Sequence, residues 1–244
     1  MIRLIIVLAF VIVFLIVSIP IWGVLYIIGL FNKKKKDEIG FAIVRWAFKI
    51  VWILAGVKPT IQGLENVPTD KPVLYVANHQ SAFDIVLAYS MCPSVTGFLS
   101  KTTFAKVPLL NVWMYQLYCI FLTRTDPKKD LKLILKAIDH IKSGVSMFVF
   151  PEGTRSKNGE MIPFHEATFK LSTKTGCAIV PVAITGTRDI FENHAPFIKG
   201  GKVVITFCDP IYPSNLEGDD KKFPGAYAQN IIAEQLKEDQ YLMQ

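Results

Sequence analysis

The run Asn78-His79-Gln80-Ser81-Ala82-Phe83-Asp84 sets an imidazole and a carboxylate five residues apart, directly after the apolar stretch "KPVLYVA". A neutral imidazole, with a reference pKa of about 6.5, takes up a proton near neutral pH. A carboxylate on its other ring nitrogen fixes the tautomer and steadies the imidazolium that forms. The spacing suits this if a strand ends before His79 and a helix begins near Ser81, because Asp84 then falls in the first helical turn. A turn histidine with a capping acid is the competing reading at this point. There is no G-x-S-x-G elbow in the chain, and a serine such as Ser81 flanking a helix start is most often a cap. A base at His79 must therefore act on water or on a substrate hydroxyl.

A second cluster is "FPEGTRS", Phe150 to Ser156. Gly153 permits close backbone approach, Arg155 offers a planar fork for phosphate, and Glu152 can orient that arginine. Lys101 follows the run "FLS" and Arg124 follows "FLT". Three cations at the ends of apolar runs, in a region of little net charge, favour an anionic ligand. No G-x-x-x-x-G-K-[ST] loop is present, so the pattern is not that of a nucleotide-binding P-loop. His140 is expected in solvent, and His165 and His194 in polar loops. No spacing of His, Asp, Glu or Cys indicates a metal. The four cysteines (92, 119, 177 and 208) lie in or beside apolar runs without C-x-x-C spacing, as buried reduced thiols would. Reduced thiols suit a reducing compartment.

These groups need a scaffold. "PVLYVAN", "VTGFLSK", "YCIFLTR", "VSMFVFP", "AIVPVAITG" and "KVVITFCDP" read as strands, mostly continuous apolar runs covered on both faces. Helical stretches alternate with them. The clearest is Asp126 to Gly144, with Leu131, Ile134, Leu135, Ile138 and Ile141 at helical spacing. The last 25 or so residues read as another helix, interrupted near Pro224. The expectation is an α/β domain with a largely parallel sheet flanked by helices, its chemistry at the strand ends.

The first 57 residues differ in kind. They hold seven Lys/Arg against two Asp/Glu, a net of +5, while residues 58–244 hold twenty against eighteen, a net of +2. The basic excess thus sits mostly outside the α/β region, which speaks against nucleic acid and for an anionic membrane surface. Leu4 to Phe31 is a 28-residue run without charge, followed by Lys33 to Lys36. The run exceeds the roughly 20 residues needed to cross a bilayer core. Pro20 interrupts it, so a spanning helix and one dipping into a single leaflet both stay open. The lysines assign this end to the cytoplasmic face. Phe41 to Val57 reads as an interfacial helix, with Arg45 and Lys49 on one face and Trp46 and Trp52 at headgroup level. The expected division is a membrane-associated helix pair over 1–57 and a catalytic domain over 58–244.

The motifs resemble those of the glycerolipid acyltransferase superfamily, and within it the 1-acyl-sn-glycerol-3-phosphate acyltransferases. "NHQSAFD" is similar to the N-H-x4-D signature, "CIFLTR" to the second motif, "FPEGTRS" to the third and "IVPVAITGT" to the fourth, in order, within roughly Lys58 to Pro210. The resemblance implies an α/β acyltransferase fold, often with an N-terminal membrane helix pair. It makes His79 the general base and Asp84 its partner. It places Arg124, Glu152, Gly153 and Arg155 at the acceptor phosphate, with Lys101 adding to it. It implies no cofactor: acyl-CoA or acyl-carrier protein serves as co-substrate, and lysophosphatidate as acceptor. The chain departs from the family pattern at Tyr118, Thr123 and Ala167, where many members carry Gly, Asp and Gly. Other acceptors (glycerol-3-phosphate or another lysolipid), a lipid ester hydrolase and a non-catalytic adaptor are the alternatives.

Overall fold

The computed structural model describes residues 1–123 and 125–243. Among these residues seven strands form one sheet: β1 (Val57–Gln62), β2 (Leu74–Ala77), β3 (Thr96–Lys101), β4 (Ile120–Leu122), β5 (Ser146–Val149), β6 (Ile179–Thr185) and β7 (Gly201–Phe207), in the order β1-β7-β6-β2-β5-β3-β4. All neighbours pair parallel except β6 and β7. The helices are α1 (Ile2–Phe31), α2 (Lys33–Leu54), α3 (Ala82–Met91), α4 (Leu110–Gln116), α5 (Pro127–Lys142), α6 (Lys170–Thr175), α7 (Thr187–Ile190), α8 (Gly218–Lys222) and α9 (Pro224–Met243).

The six expected strands are present. β1 escaped the sequence reading because Pro59 interrupts it and most of its side chains are exposed. Proline cannot donate to a ladder, and β1 is accordingly an edge strand. Strand β2 is buried at every position and lies mid-sheet, between β6 and β5. β3, β4 and β5 lie on one side of it, and β6, β7 and β1 on the other. The carboxyl end of β2 therefore opens at the crevice where open α/β sheets bind ligands. Tyr75 on β2 stacks on Phe148 of β5 at 5.5 Å and meets Phe207 of β7 edge-on at 6.3 Å. This core locks the strand that leads into His79.

The N-terminal region differs from expectation in two respects, the start of α2 and its packing. α2 starts at Lys33 rather than Phe41, so the lysine run forms its first turn, capped by the Asn32 side chain on Lys35 N–H. As expected, among the described residues only α1 is long and apolar enough to cross a membrane, with a mean hydropathy of 3.3 over its best window. α2 is a packing helix: Trp52 donates to Ser90 Oγ and Arg45 to Ser90 O, both on α3. Trp46 is the tryptophan of α2 left 55% exposed.

α1 also joins the folded body along its length. Val7 shares a buried cluster with Val51, Phe83, Leu87, Ile190 and Val203. Leu25 belongs to the core that includes Tyr75 and Phe148. On α5 the buried stripe is Ala137, Ile138 and Ile141, whereas Leu131 and Leu135 are 59% and 53% exposed. His140 is half-buried, edge-on to Tyr118 at 5.0 Å, and burial pulls its imidazole below the usual histidine range.

Candidate active site

The turn after β2 is built by side chains standing in for backbone. Asn78, fully buried, donates to Ile184 O and accepts from Ile184 N–H, both at 2.9 Å. Its amide continues the β2–β6 ladder by one rung and fixes where the strand stops. α3 then starts on a capping box: Ser81 Oγ accepts the Phe83 N–H at 3.1 Å, and Asp84 accepts the Ser81 N–H at 2.7 Å. Such a cap stabilises a helix start by about 1 kcal/mol. The cap carries Asp84 back beneath the imidazole.

His79 Nδ1 and Asp84 Oδ2 are 2.9 Å apart. The Asp84 carboxylate is fully buried and also accepts from Gln80 N–H (2.7 Å) and from Thr187 Oγ1 (2.5 Å). Every partner of this carboxylate donates to it, so Nδ1 carries the proton. The lone pair is left on Nε2, as a general base requires. Phe150 stacks on the imidazole at 4.0 Å and fixes its plane. Phe150, Asn78 and Thr187 were not assigned roles from the sequence. Thr187 lies in the polar strand end "ITGTRD", but its reach to Asp84 is a product of the fold.

The "PEGTRS" turn is pinned to His79 from both sides. Glu152 Oε1 accepts the His79 N–H at 2.6 Å, and Ser156 N–H donates to His79 O at 2.8 Å. Glu152 Oε2 accepts the Ile162 N–H at 2.9 Å. Glu152 is 2% exposed, and burial holds its carboxyl above the usual range, against the pull of these two N–H donors. The expectation that Glu152 orients Arg155 is not what the geometry gives: Arg155 Nη1 pairs with Glu192 Oε1 at 2.9 Å. The same Glu192 oxygen accepts the Ala82 N–H, at the first turn of α3, at 2.9 Å. Glu192 thus ties the arginine to the helix that carries Asp84. Gly153 has φ +71°, where a Cβ would stand 3.3 Å from the His165 ring. His165, read as a loop residue, therefore closes over this turn.

Lys101 is exposed at the carboxyl end of β3, two strands from β2. Arg124 lies outside the described residues. Arg188 braces the turn from above, donating to Ser156 O at 3.1 Å and to Asn193 Oδ1 at 2.7 Å. Among the described residues no group of three or more His, Cys, Asp or Glu is arranged to hold a metal ion. A cleft of about 650 Å³ lies between the end of β7 and α9, and none of the residues above lines it.

A family model described as acyltransferase matches residues 58–185, which spans β1 to β6 and contains His79, Asp84, Glu152 and Arg155. The chain belongs to the acyltransferase family. The chain is 34% identical over 208 residues to the chloroplastic 1-acyl-sn-glycerol-3-phosphate acyltransferase BAT2 of Brassica napus, covering 84% of the chain and 60% of that protein. It is 32% identical over 170 residues to the 1-acyl-sn-glycerol-3-phosphate acyltransferase of Borreliella burgdorferi, covering 69% of the chain and 67% of the relative. Its fold matches the crystal structure of the 1-acyl-sn-glycerophosphate acyltransferase PlsC from Thermotoga maritima with a TM-score of 0.81 at 25% identity, covering 97% of one chain and 95% of the other. The chain spans about three-fifths of the length of the Brassica napus protein.

Proposed function

We propose that this acyltransferase moves a fatty acyl group from acyl-CoA or acyl-carrier protein to the sn-2 hydroxyl of lysophosphatidate, giving phosphatidate. The observation that carries the reading is the His79–Asp84 pair, buried on the aspartate side, in a sequence without a G-x-S-x-G nucleophile elbow. Ser81, the hydroxyl within the motif, is fully buried and spent on capping α3. The relatives named above support the choice of acceptor.

In this mechanism His79 Nε2 takes the proton of the acceptor hydroxyl as its oxygen attacks the thioester carbonyl. The C–O bond forms, the C–S bond breaks, and the departing thiolate takes the proton from the imidazolium. Asp84 steadies that imidazolium without being protonated. General-base help supplies about 10²–10⁴-fold, so positioning must add much of the rest. Arg155, held by Glu192 through one nitrogen, keeps the remainder of its fork for the acceptor phosphate. Lys101 and Arg124 add positive charge there, and Gly153 lets the phosphate approach the backbone. Glu152 acts on His79, as a positioning residue.

Residues 1–57 form the membrane-engaging part and 58–244 the catalytic part in this reading, on the cytoplasmic face of an anionic membrane. α1 is buried against the folded body near Val7 and again near Leu25. A helix so held favours lying along one leaflet over crossing both. Thioester release by solubilised protein tests the activity. Lysophosphatidate should support release with both carriers or with one, and phosphatidate should be the product. Release of free fatty acid, unchanged by any acceptor, would replace this reading with hydrolysis.

A further inference from the structure

We infer that residues 102–116, in the connection from β3 to β4, form a second membrane-docking element, with a cationic pocket at its edge that takes an anionic lipid phosphate. The inference rests on the membrane reading of α1. Phe104, Val107, Val112 and Tyr115 are 42%, 40%, 40% and 59% exposed, within one short segment. Val112 and Tyr115 are three apart on α4 and share its outer face. The inner face belongs to Trp113, 2% exposed, which stacks on Phe14 of α1 at 5.8 Å and meets Trp22 edge-on at 6.1 Å. The exposed patch is thus continuous with α1, whose outer face is apolar along its length.

The pocket, about 440 Å³, lies between α4 and the start of α2, lined by Lys33, Lys36, Val112, Tyr115, Gln116 and Tyr118. Lys33 Nζ stands 5.6 Å from the Tyr118 ring. Tyr118 holds φ +58°, a left-handed backbone that costs a side-chain-bearing residue roughly 1–2 kcal/mol. Its hydroxyl donates to Asp37, which also pairs with Lys36 at 3.5 Å. The tyrosine is therefore held at a conformational cost, with its ring beneath Lys33, and with Lys36 also lining the pocket. Both lysines sit in the first turn of α2, where the macrodipole adds positive potential. Apolar side chains beside aromatic rings and lysines match the acyl–headgroup boundary of a bilayer. An aqueous protein partner would have no reason to continue onto α1. Because the segment begins one residue after Lys101, this docking would set the acceptor's phosphate at the rim of the sheet as the lipid leaves the bilayer.

The test uses the full chain on vesicles of equal parts phosphatidylcholine and phosphatidylglycerol. A polarity-sensitive fluorophore is attached at Val112→Cys or, separately, at Tyr115→Cys, with Ser214→Cys as the water-facing control. The parent chain, labelled alike, supplies the background of the four native thiols. Labels at 112 and 115 should shift to the blue and be quenched by lipids brominated on the acyl chain, and the label at 214 should do neither. Lys33→Glu with Lys36→Glu should abolish the extra shift that phosphatidylglycerol gives over pure phosphatidylcholine. Labels that stay water-exposed while the chain floats with the vesicles would overturn the inference and leave the anchor standing. A blue shift without vesicles that grows with protein concentration would overturn it in favour of a second copy of the chain. A chain that does not float at all would remove the membrane reading itself.

Discussion

Glu152 holds His79 by its backbone: the buried carboxylate accepts the His79 N–H at 2.6 Å while Arg155, three residues on, is paired elsewhere. In the proposed mechanism a residue in that position acts on the base and not on the acceptor. Glu152→Gln keeps one acceptor oxygen but turns an amide N–H toward one of the two backbone donors. It should lower kcat about ten-fold or more, while the KM for lysophosphatidate stays near the parent value. A raised KM at unchanged kcat would return Glu152 to the phosphate. The variant has a second signature. Burial raises the Glu152 carboxyl, so the stability it contributes is full below the unfolded value, about 4.3, and is lost as pH rises through the folded value. Across that window the parent should lose denaturation midpoint relative to Glu152→Gln.

Thr187 reaches Asp84 from the opposite side of the sheet crevice. Thr187→Val would leave one buried carboxylate oxygen without its donor, at a cost of about 1–3 kcal/mol. Denaturant midpoints should fall accordingly, and the pH–rate profile should move because the Asp84 charge that steadies the imidazolium loses one of its hydrogen-bond donors. Thr187→Ser should restore both. A valine variant with parental stability and profile would show that the contact does not matter.

Arg155 and Glu192 should behave as one unit. Arg155→Ala should raise the acceptor KM about 10–100-fold, the range of a charged hydrogen-bonding contact, and far less for an unphosphorylated acceptor. Glu192→Gln should raise it several-fold in the parent and not at all in the Arg155→Ala background. Additive effects would mean that Glu192 acts only through its cap on α3.

Gly153→Ala puts a side chain on a left-handed backbone and against the His165 ring. A loss of about 1–2 kcal/mol is expected in urea titrations, with part recovered by pairing it with His165→Ala. No loss would mean that the turn rearranges freely.

Much of the scaffold is legible in the sequence because buried parallel strands are continuous apolar runs, and six of them stand where those runs are. β1 is hidden by Pro59 and by its exposed edge. Leu131 and Leu135 fit the helical period of α5 yet face outward, because periodicity defines a stripe but not its width; the buried face is centred on Ala137. The His79–Asp84 contact follows from local spacing, one capped helical turn. The partners that complete the site do not. Thr187 lies 103 residues from Asp84, and Glu192 lies 37 from Arg155. Glu152 and Arg155 look paired in the sequence only because they are neighbours. The turn at Gly153 sends the two side chains to different partners.

The most direct test of the account is single-turnover acyl transfer to lysophosphatidate by the parent and by His79→Ala, with mass spectrometry of the quenched protein. Transfer should fall by about 10²–10⁴-fold in the variant, and neither protein should carry an acyl group at any time. Near-parental transfer by His79→Ala would contradict the base assignment, and an acyl adduct on the parent enzyme would contradict direct transfer.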